Sequence, residues 1–186
     1  MAEGKKNEEV VLMTASLARL LRQSISIENE LVTIGQEIEY VRSYLTIQKM
    51  RYKDKLEFEI NVDPRITHAQ IIRLVLQPIV ENAIYHGLKY KESKGMLKVH
   101  GYELGERIII DITDDGVGMD EETLKHIYDK HKVNYHSNGV GVYNVQQRLV
   151  LYYGKEYGII YHSEKGKGTT ATVVIPKKQE DVHEKI

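Results

Sequence analysis

Between Leu56 and Val62 apolar and polar side chains alternate, with Leu56, Phe58, Ile60 and Val62 separated by Glu57, Glu59 and Asn61. A period of two puts the apolar set on one side of an extended chain, so the pattern predicts a half-buried strand, ended by Asp63-Pro64. Upstream the period is helical. Val10, Met13, Leu17 and Leu20 recur at helical spacing, and after a polar break at residues 24–29 so do Ile34, Ile38, Val41 and Leu45. Thr33 and Gln36 have the spacing of a capping box for the second run. Two seams with no strand between them predict a helical hairpin or half of a bundle. Such a seam either packs on its own domain or, the reading preferred from sequence, forms a dimer interface.

Beyond the first strand the pattern predicts a helix from about Gln70 to His86, with Pro78 kinking it or opening its second part. Strand-like runs follow at 97–104 and 107–113, turned at Gly105. The stretch 120–137 is polar and carries little periodicity. Helix resumes near Val140 with Val142, Val145, Leu149 and Tyr152 or Tyr153 inward, and two strands, 157–162 and 169–175, close the pattern. No regular strand-helix repeat is present. The fold class expected is therefore α+β, a mixed sheet with helices on one face rather than a doubly wound sheet. The expected division is a helical region over 1–53, a main domain over 54–178 and a polar tail over 179–186.

Composition narrows the function. With 26 basic and 27 acidic side chains in 186 residues, the near-zero net charge argues against nucleic acid as the main partner. Cysteine is absent, which removes disulfides and thiolate chemistry and suits a reducing compartment. No apolar run approaches the ~20 residues that span a bilayer, so no direct membrane insertion by this chain is expected.

Four short segments carry the candidate chemistry: Glu81-Asn82-Ala83 within L-Q-P-I-V-E-N-A-I-Y-H-G, Asp114-Asp115-Gly116-Val117-Gly118-Met119, Asn138-Gly139-Val140-Gly141-Val142, and Gly166-Lys167-Gly168-Thr169. Glu81, Asn82 and Tyr85 share one side of a helix whose other side is apolar. An amide oxygen is a neutral hard ligand suited to Mg²⁺, and a carboxylate beside it can orient or deprotonate a water. Asp114 ends a strand whose Ile108, Ile110 and Ile112 share a face, so its carboxylate sits at the mouth of an apolar layer and needs donors. Gly116 and Gly118 are read as letting backbone approach a base without a Cβ in the way. The Gly139-Val140-Gly141 amides precede a helix and can receive phosphate. His126, His131 and His136 in the polar stretch fit its composition better than a metal cluster.

In this order the segments resemble the N box and the glycine boxes of the GHKL ATPase superfamily, which includes gyrase and the sensor histidine kinases. Leu20-Leu21-Arg22-Gln23-Ser24, Glu37-Ile38-Glu39-Tyr40-Val41, Tyr44-Leu45-x-Ile47-Gln48-Lys49-x-Arg51-Tyr52 and Gly141-Val142-x-Asn144-Val145-x-x-Arg148-Leu149 make the chain similar to LytS-like sensor histidine kinases from about Glu8 to Pro176. The resemblance implies the two-layer Bergerat fold, ATP and Mg²⁺ as cofactors, Asn82 as metal ligand, Glu81 as its acidic neighbour and Asp114 as the residue that meets the adenine amine. It further implies nucleotide contacts from His86, Gly116, Gly118, Met119, Asn138, Gly139, Val140, Gly141, Val142, Gly168 and Thr169, with residues 124–138 as a lid. Relatives often carry Lys or Arg where Tyr85 stands, so the positive charge is expected from Lys89, Lys91 or His86. None of the eight histidines lies in a P-H-F-L-F-N-like segment, so the acceptor histidine is expected on a helix preceding Glu8. A response regulator as partner, a homodimer through the N-terminal helices and a cytoplasmic location complete the expectation. An ATPase that uses Glu81 to activate water, and a regulatory ATP-binding module or pseudokinase, stay open as alternatives.

Overall fold

The computed structural model describes residues 30–128 and 139–177, together with a few helical positions between 11 and 18. Its sheet has five strands, β2 (Leu56–Val62), β4 (Gly95–Leu104), β5 (Arg107–Asp114), β6 (Gly158–Glu164) and β7 (Gly168–Pro176), in the order β2-β4-β5-β7-β6. β2 runs parallel to β4 and every other pair is antiparallel. The mixed sheet expected from sequence is the one found.

Alternation decides the faces. Ile108, Ile110 and Ile112 on β5, with Leu97, Val99, Ala171, Val173 and Ile175 on its neighbours, form one core with the helices. The opposite face mixes the buried pair Ile109 and Val174 with polar pairs: Thr172 donates to Asp111 at 2.6 Å, and the Thr113 and Thr170 hydroxyls lie 3.0 Å apart. Helices α1 (Ile34–Tyr52), α2 (Leu76–Asn82) and α4 (Gly139–Tyr153) supply the other layer, and a short α3 (Glu121–Lys125) is N-capped by Asp120. A two-stranded ribbon, β1 (Leu31–Thr33) with β3 (Gln70–Ile72), joins the ends of α1 and α2.

α1 begins where the sequence places it. The Thr33 hydroxyl accepts from the Gln36 amide at 3.1 Å, and the Gln36 side chain accepts from the Thr33 amide at 2.8 Å, a complete capping box. Its seam has a different use from the one preferred on sequence grounds. Ile34, Ile38, Val41 and Leu45 are all buried in the core of the sheet domain, against Leu56, Leu76 and Ile79 among others. Since burial of this face is already complete within one chain, the seam serves intramolecular packing rather than a dimer interface. The companion seam at Val10 to Leu20 lies largely outside the described residues.

The helix expected from Gln70 to His86 is divided. Its first part is β3, because Ile71 and Ile72 are held in the ribbon. Pro78 sits in the first turn of α2, where its missing amide costs no hydrogen bond, so it opens the helix rather than kinking it. After Asn82 the helix widens into a π segment, Ala83–Leu88, closed by Lys89 donating to the Ile84 carbonyl at 2.8 Å.

Candidate functional site

The register of the sheet lays out the floor of a cavity. Asp114 stands opposite Thr169, which stands opposite Ser163, and one pleat along Ile112, Ala171 and Tyr161 form a parallel row. With the α2 and π-segment residues Ile79, Asn82, Ala83, His86 and Gly87 on the side, these rows, Ser163 apart, bound a cavity of about 710 Å³. Val117, Gly118, Met119, Thr123, Val142 and Lys165 complete much of the rim. The volume is in the range of small-molecule sites.

Asp114 is 4% exposed, and Gly116 donates its amide to Oδ1 at 2.9 Å. Burial pushes its carboxyl up to about 6; the Gly116 and Thr169 amides oppose the rise while the Asp115 charge adds to it. The neighbouring acid has another task. Asp115 accepts from the Met96 amide at 2.8 Å and pairs with Lys91 at 2.7 Å, and these partners outweigh its burial and hold it below the usual range. Of the two acids only Asp114 lines the cavity.

Glycines interlock the backbone behind Asp114. A Cβ on Gly87 would stand 2.5 Å from the Asp114 carboxylate, and one on Gly116 would stand 2.3 Å from the Gly87 backbone. Val117 donates to the Gly87 carbonyl at 3.1 Å across this junction. Gly118, at φ +63°, has the Glu164 carbonyl where a side chain would start, and Gly168, at φ +100°, has the Asp114 carbonyl. Gly118 lines the cavity, and both Gly116 and Gly118 also have a packing reason to be glycine. Their missing side chains make room for protein backbone, and neither Gly116 nor Gly168 lines the cavity.

On the helical wall Asn82 lines the cavity, and its Oδ1 is buried with no hydrogen-bond partner. A buried amide oxygen left unpaired costs free energy, so a ligand or cation there would relieve it. Among the described residues no cluster of three His, Asp or Glu could hold a metal by protein groups alone. That donor set fits Mg²⁺ held jointly with substrate phosphates. Glu81 does not line the cavity: Gln77 donates to its Oε1 at 2.6 Å, and it faces Tyr44 of α1.

Of Lys89, Lys91 and His86, the groups expected to supply positive charge, only His86 lines the cavity. Lys91 is paired with Asp115, Lys89 lies over the Tyr90 ring at 5.6 Å, and Tyr85 faces Tyr44 rather than the cavity. His86 does line the cavity; burial and the Lys89 charge push its pKa down. Lys165, at the turn between β6 and β7, is a cavity cation that the sequence reading missed. Met119, Val142 and Thr169 line the cavity, and Ser163, outside the lining, accepts from the Met119 amide at 2.8 Å. Gly139-Val140-Gly141 form the first turn of α4 rather than a loop before it. Asn138 and most of the expected lid lie outside the described residues.

The family described as Histidine kinase-, DNA gyrase B-, and HSP90-like ATPase matches residues 67–179, and the family Histidine kinase matches residues 1–56. Sensor histidine kinase YesM of Bacillus subtilis is 32% identical over 182 residues, 98% of this chain and 30% of that protein. Sensor protein LytS of Oceanobacillus iheyensis is 31% identical over 86% of this chain and 28% of its own length. The chain thus spans about a third or less of these relatives. Among solved structures, the catalytic domain of histidine kinase ThkA superposes with a TM-score of 0.62 at 15% identity, covering 81% of this chain and 100% of that one. The histidine kinase domain of the Erythrobacter litoralis blue-light activated histidine kinase gives 0.57 at 16% identity, covering 90% and 74%.

Proposed function

The chain belongs to the histidine kinase, gyrase and HSP90-like ATPase family, and from that premise we propose that it is the ATP-binding catalytic part of a two-component sensor histidine kinase. The observation that carries the reading is one cavity lined by both Asp114 and Asn82, each with a buried side-chain oxygen, that of Asn82 lacking a hydrogen-bond partner. ATP with Mg²⁺ would supply the phosphoryl group and the neutralising cation. Asp114 accepts from the adenine amine, Ile112 and Ala171 pack the base, and Asn82 offers its Oδ1 to the metal. His86 and Lys165 bring donors to the rim, and the first turn of α4 presents free amides and the positive end of the helix to phosphate. Phosphoryl transfer is largely positioning and charge neutralisation, which such a set can perform.

Glu81 fits the base for the acceptor imidazole. Its carboxylate, outside the cavity lining and braced by Gln77, is better placed for a partner arriving beside the nucleotide than for a water within the cavity. The reading therefore favours transfer to a histidine over hydrolysis, with a response regulator as the next acceptor and homodimerisation assigned to the region before residue 30. No helix among the described residues is long and apolar enough to cross a membrane, and we assign the domain to the cytoplasmic side of a membrane-anchored sensor.

The test combines calorimetry with labelling. ATP and ADP are expected to bind with Mg²⁺-dependent affinity and GTP weakly. With γ-labelled ATP the chain alone is expected to take up no acid-labile label, and a supplied polypeptide carrying the acceptor helix of a relative is expected to take it up. Absence of nucleotide binding would overturn the reading, and stoichiometric acid-labile label on this chain would place the acceptor among its own eight histidines.

A further inference from the structure

The turn between β3 and α2 is held by side chains from two other helices. Glu37, on α1 and 4% exposed, accepts from the Leu74 amide through Oε1 at 2.8 Å and from the Val75 and Leu76 amides through Oε2, both at 3.1 Å. Leu74 is at φ +60°, a left-handed conformation that a branched side chain seldom adopts without outside support. Arg148, on α4, donates to the Arg73 carbonyl at 2.9 Å, and its charge faces Glu37. Tyr153, also on α4, accepts from the Ile72 amide at 3.2 Å.

A helix start is ordinarily capped by a neighbouring Ser, Thr, Asp or Asn, and α2 has no local side-chain cap. Its cap comes instead from a carboxylate 37 to 39 residues upstream, buried at the cost of desolvating a charge. The local solution would fix α2 without reference to α1. The one present fixes the first turn of α2 to α1, and α2 is a single short rod with Asn82 at its far end. α4, whose first turn bears Gly139 and Gly141, is tied to the two residues just before those amides, Arg73 through Arg148 and Ile72 through Tyr153. Both helical walls of the cavity are thereby referenced to α1.

We propose that Glu37 is a positioning residue that couples the placement of α1 to nucleotide binding at Asn82, through the strained turn Arg73–Leu76. The proposal rests on the nucleotide reading of the cavity. Coupling is reciprocal, so a nucleotide that fixes Asn82 must also tighten the amides that Glu37 holds, and loosening Glu37 must weaken nucleotide binding.

Two measurements test it. Glu37→Gln, studied well below its melting midpoint, is expected to lose about tenfold in Mg²⁺-ATP affinity and markedly less in metal-free affinity. A merely structural role would lower the midpoint and leave that ratio unchanged, and an unchanged ratio in the folded variant overturns the proposal. Should the variant fail to fold, hydrogen exchange on the unaltered chain decides. Saturating Mg²⁺-ATP is expected to slow the Leu74, Val75 and Leu76 amides. If the Asp114–Val117 segment is slowed while those three are unaffected, the coupling is refuted and the nucleotide site stands. If calorimetry detects no binding and no segment is slowed, the nucleotide reading falls first.

Discussion

Asp114 and Asn82 each bring a buried oxygen to the same cavity, yet Asp114 is supplied with backbone donors while the Asn82 Oδ1 has none. The difference follows from the elements that carry them. Asp114 ends a central strand, where the loop that follows turns back and the adjacent strand offers amides, so protein groups finish its environment. Asn82 ends a helix whose own amides are spent on the helix, so no protein donor reaches its Oδ1. The floor is built to keep its shape without a ligand, and the wall is left for the ligand to complete.

The floor is the place to break that contrast with the largest effect. Gly168→Ala puts a Cβ against the Asp114 carbonyl at a positive φ, with rigid backbone on both sides. A loss of about 3–5 kcal/mol of stability is expected in denaturant unfolding. A melt near that of the unaltered protein would mean that the floor gives way more easily than its packing implies.

Asp114→Asn comes next. It leaves the shape but turns one acceptor into a donor facing the adenine amine, which is expected to cost about 2–4 kcal/mol of ATP binding by calorimetry. Unchanged affinity in a folded variant would remove the base contact from the floor. On the wall, Asn82→Ala is expected to cost about 2 kcal/mol of Mg²⁺-dependent binding and little of the metal-free binding. Equal losses would make Asn82 a structural residue and erase the contrast.

The smallest effect is a titration. The folded Asp114 value of about 6 lies above its value in an unfolded chain, near ~3.9. Its contribution to stability is therefore fully present below ~4 and lost as pH rises through about 6. Binding runs the other way, because the ionised form accepts from adenine. Between pH 7 and pH 5 affinity is expected to fall about tenfold while the Asp114 contribution to stability returns. In Asp114→Asn that component of the pH-stability profile should vanish.

Much of the architecture was legible in the residue pattern. The five sheet strands, the Thr33 cap, the Gly105 turn and the buried face of α4 follow from period and local chemistry, which depend on neighbours in the chain. The β1–β3 ribbon was not legible, since three-residue strands show no period and Ile71-Ile72 sits in a run that also reads as helix. The seam on α1 was legible as a seam but not in its partner, because an apolar stripe specifies that it is buried and not against what.

The site divides along the same line. Local helix and strand-end chemistry singled out Asn82 and Asp114, and the family resemblance added Met119, Val142 and Thr169, all of which the fold gathers around one cavity. The sequence reading missed Gly87, Tyr161 and Lys165, which are brought in by a π turn, by sheet register and by the turn between β6 and β7. It also could not reveal why Gly116 and Gly168 are glycines, or that Glu37 caps a helix far along the chain. Periods and caps are short-range and written residue by residue. Which backbone a missing Cβ leaves room for, and which distant amide a buried carboxylate must satisfy, are set only when the layers close on one another.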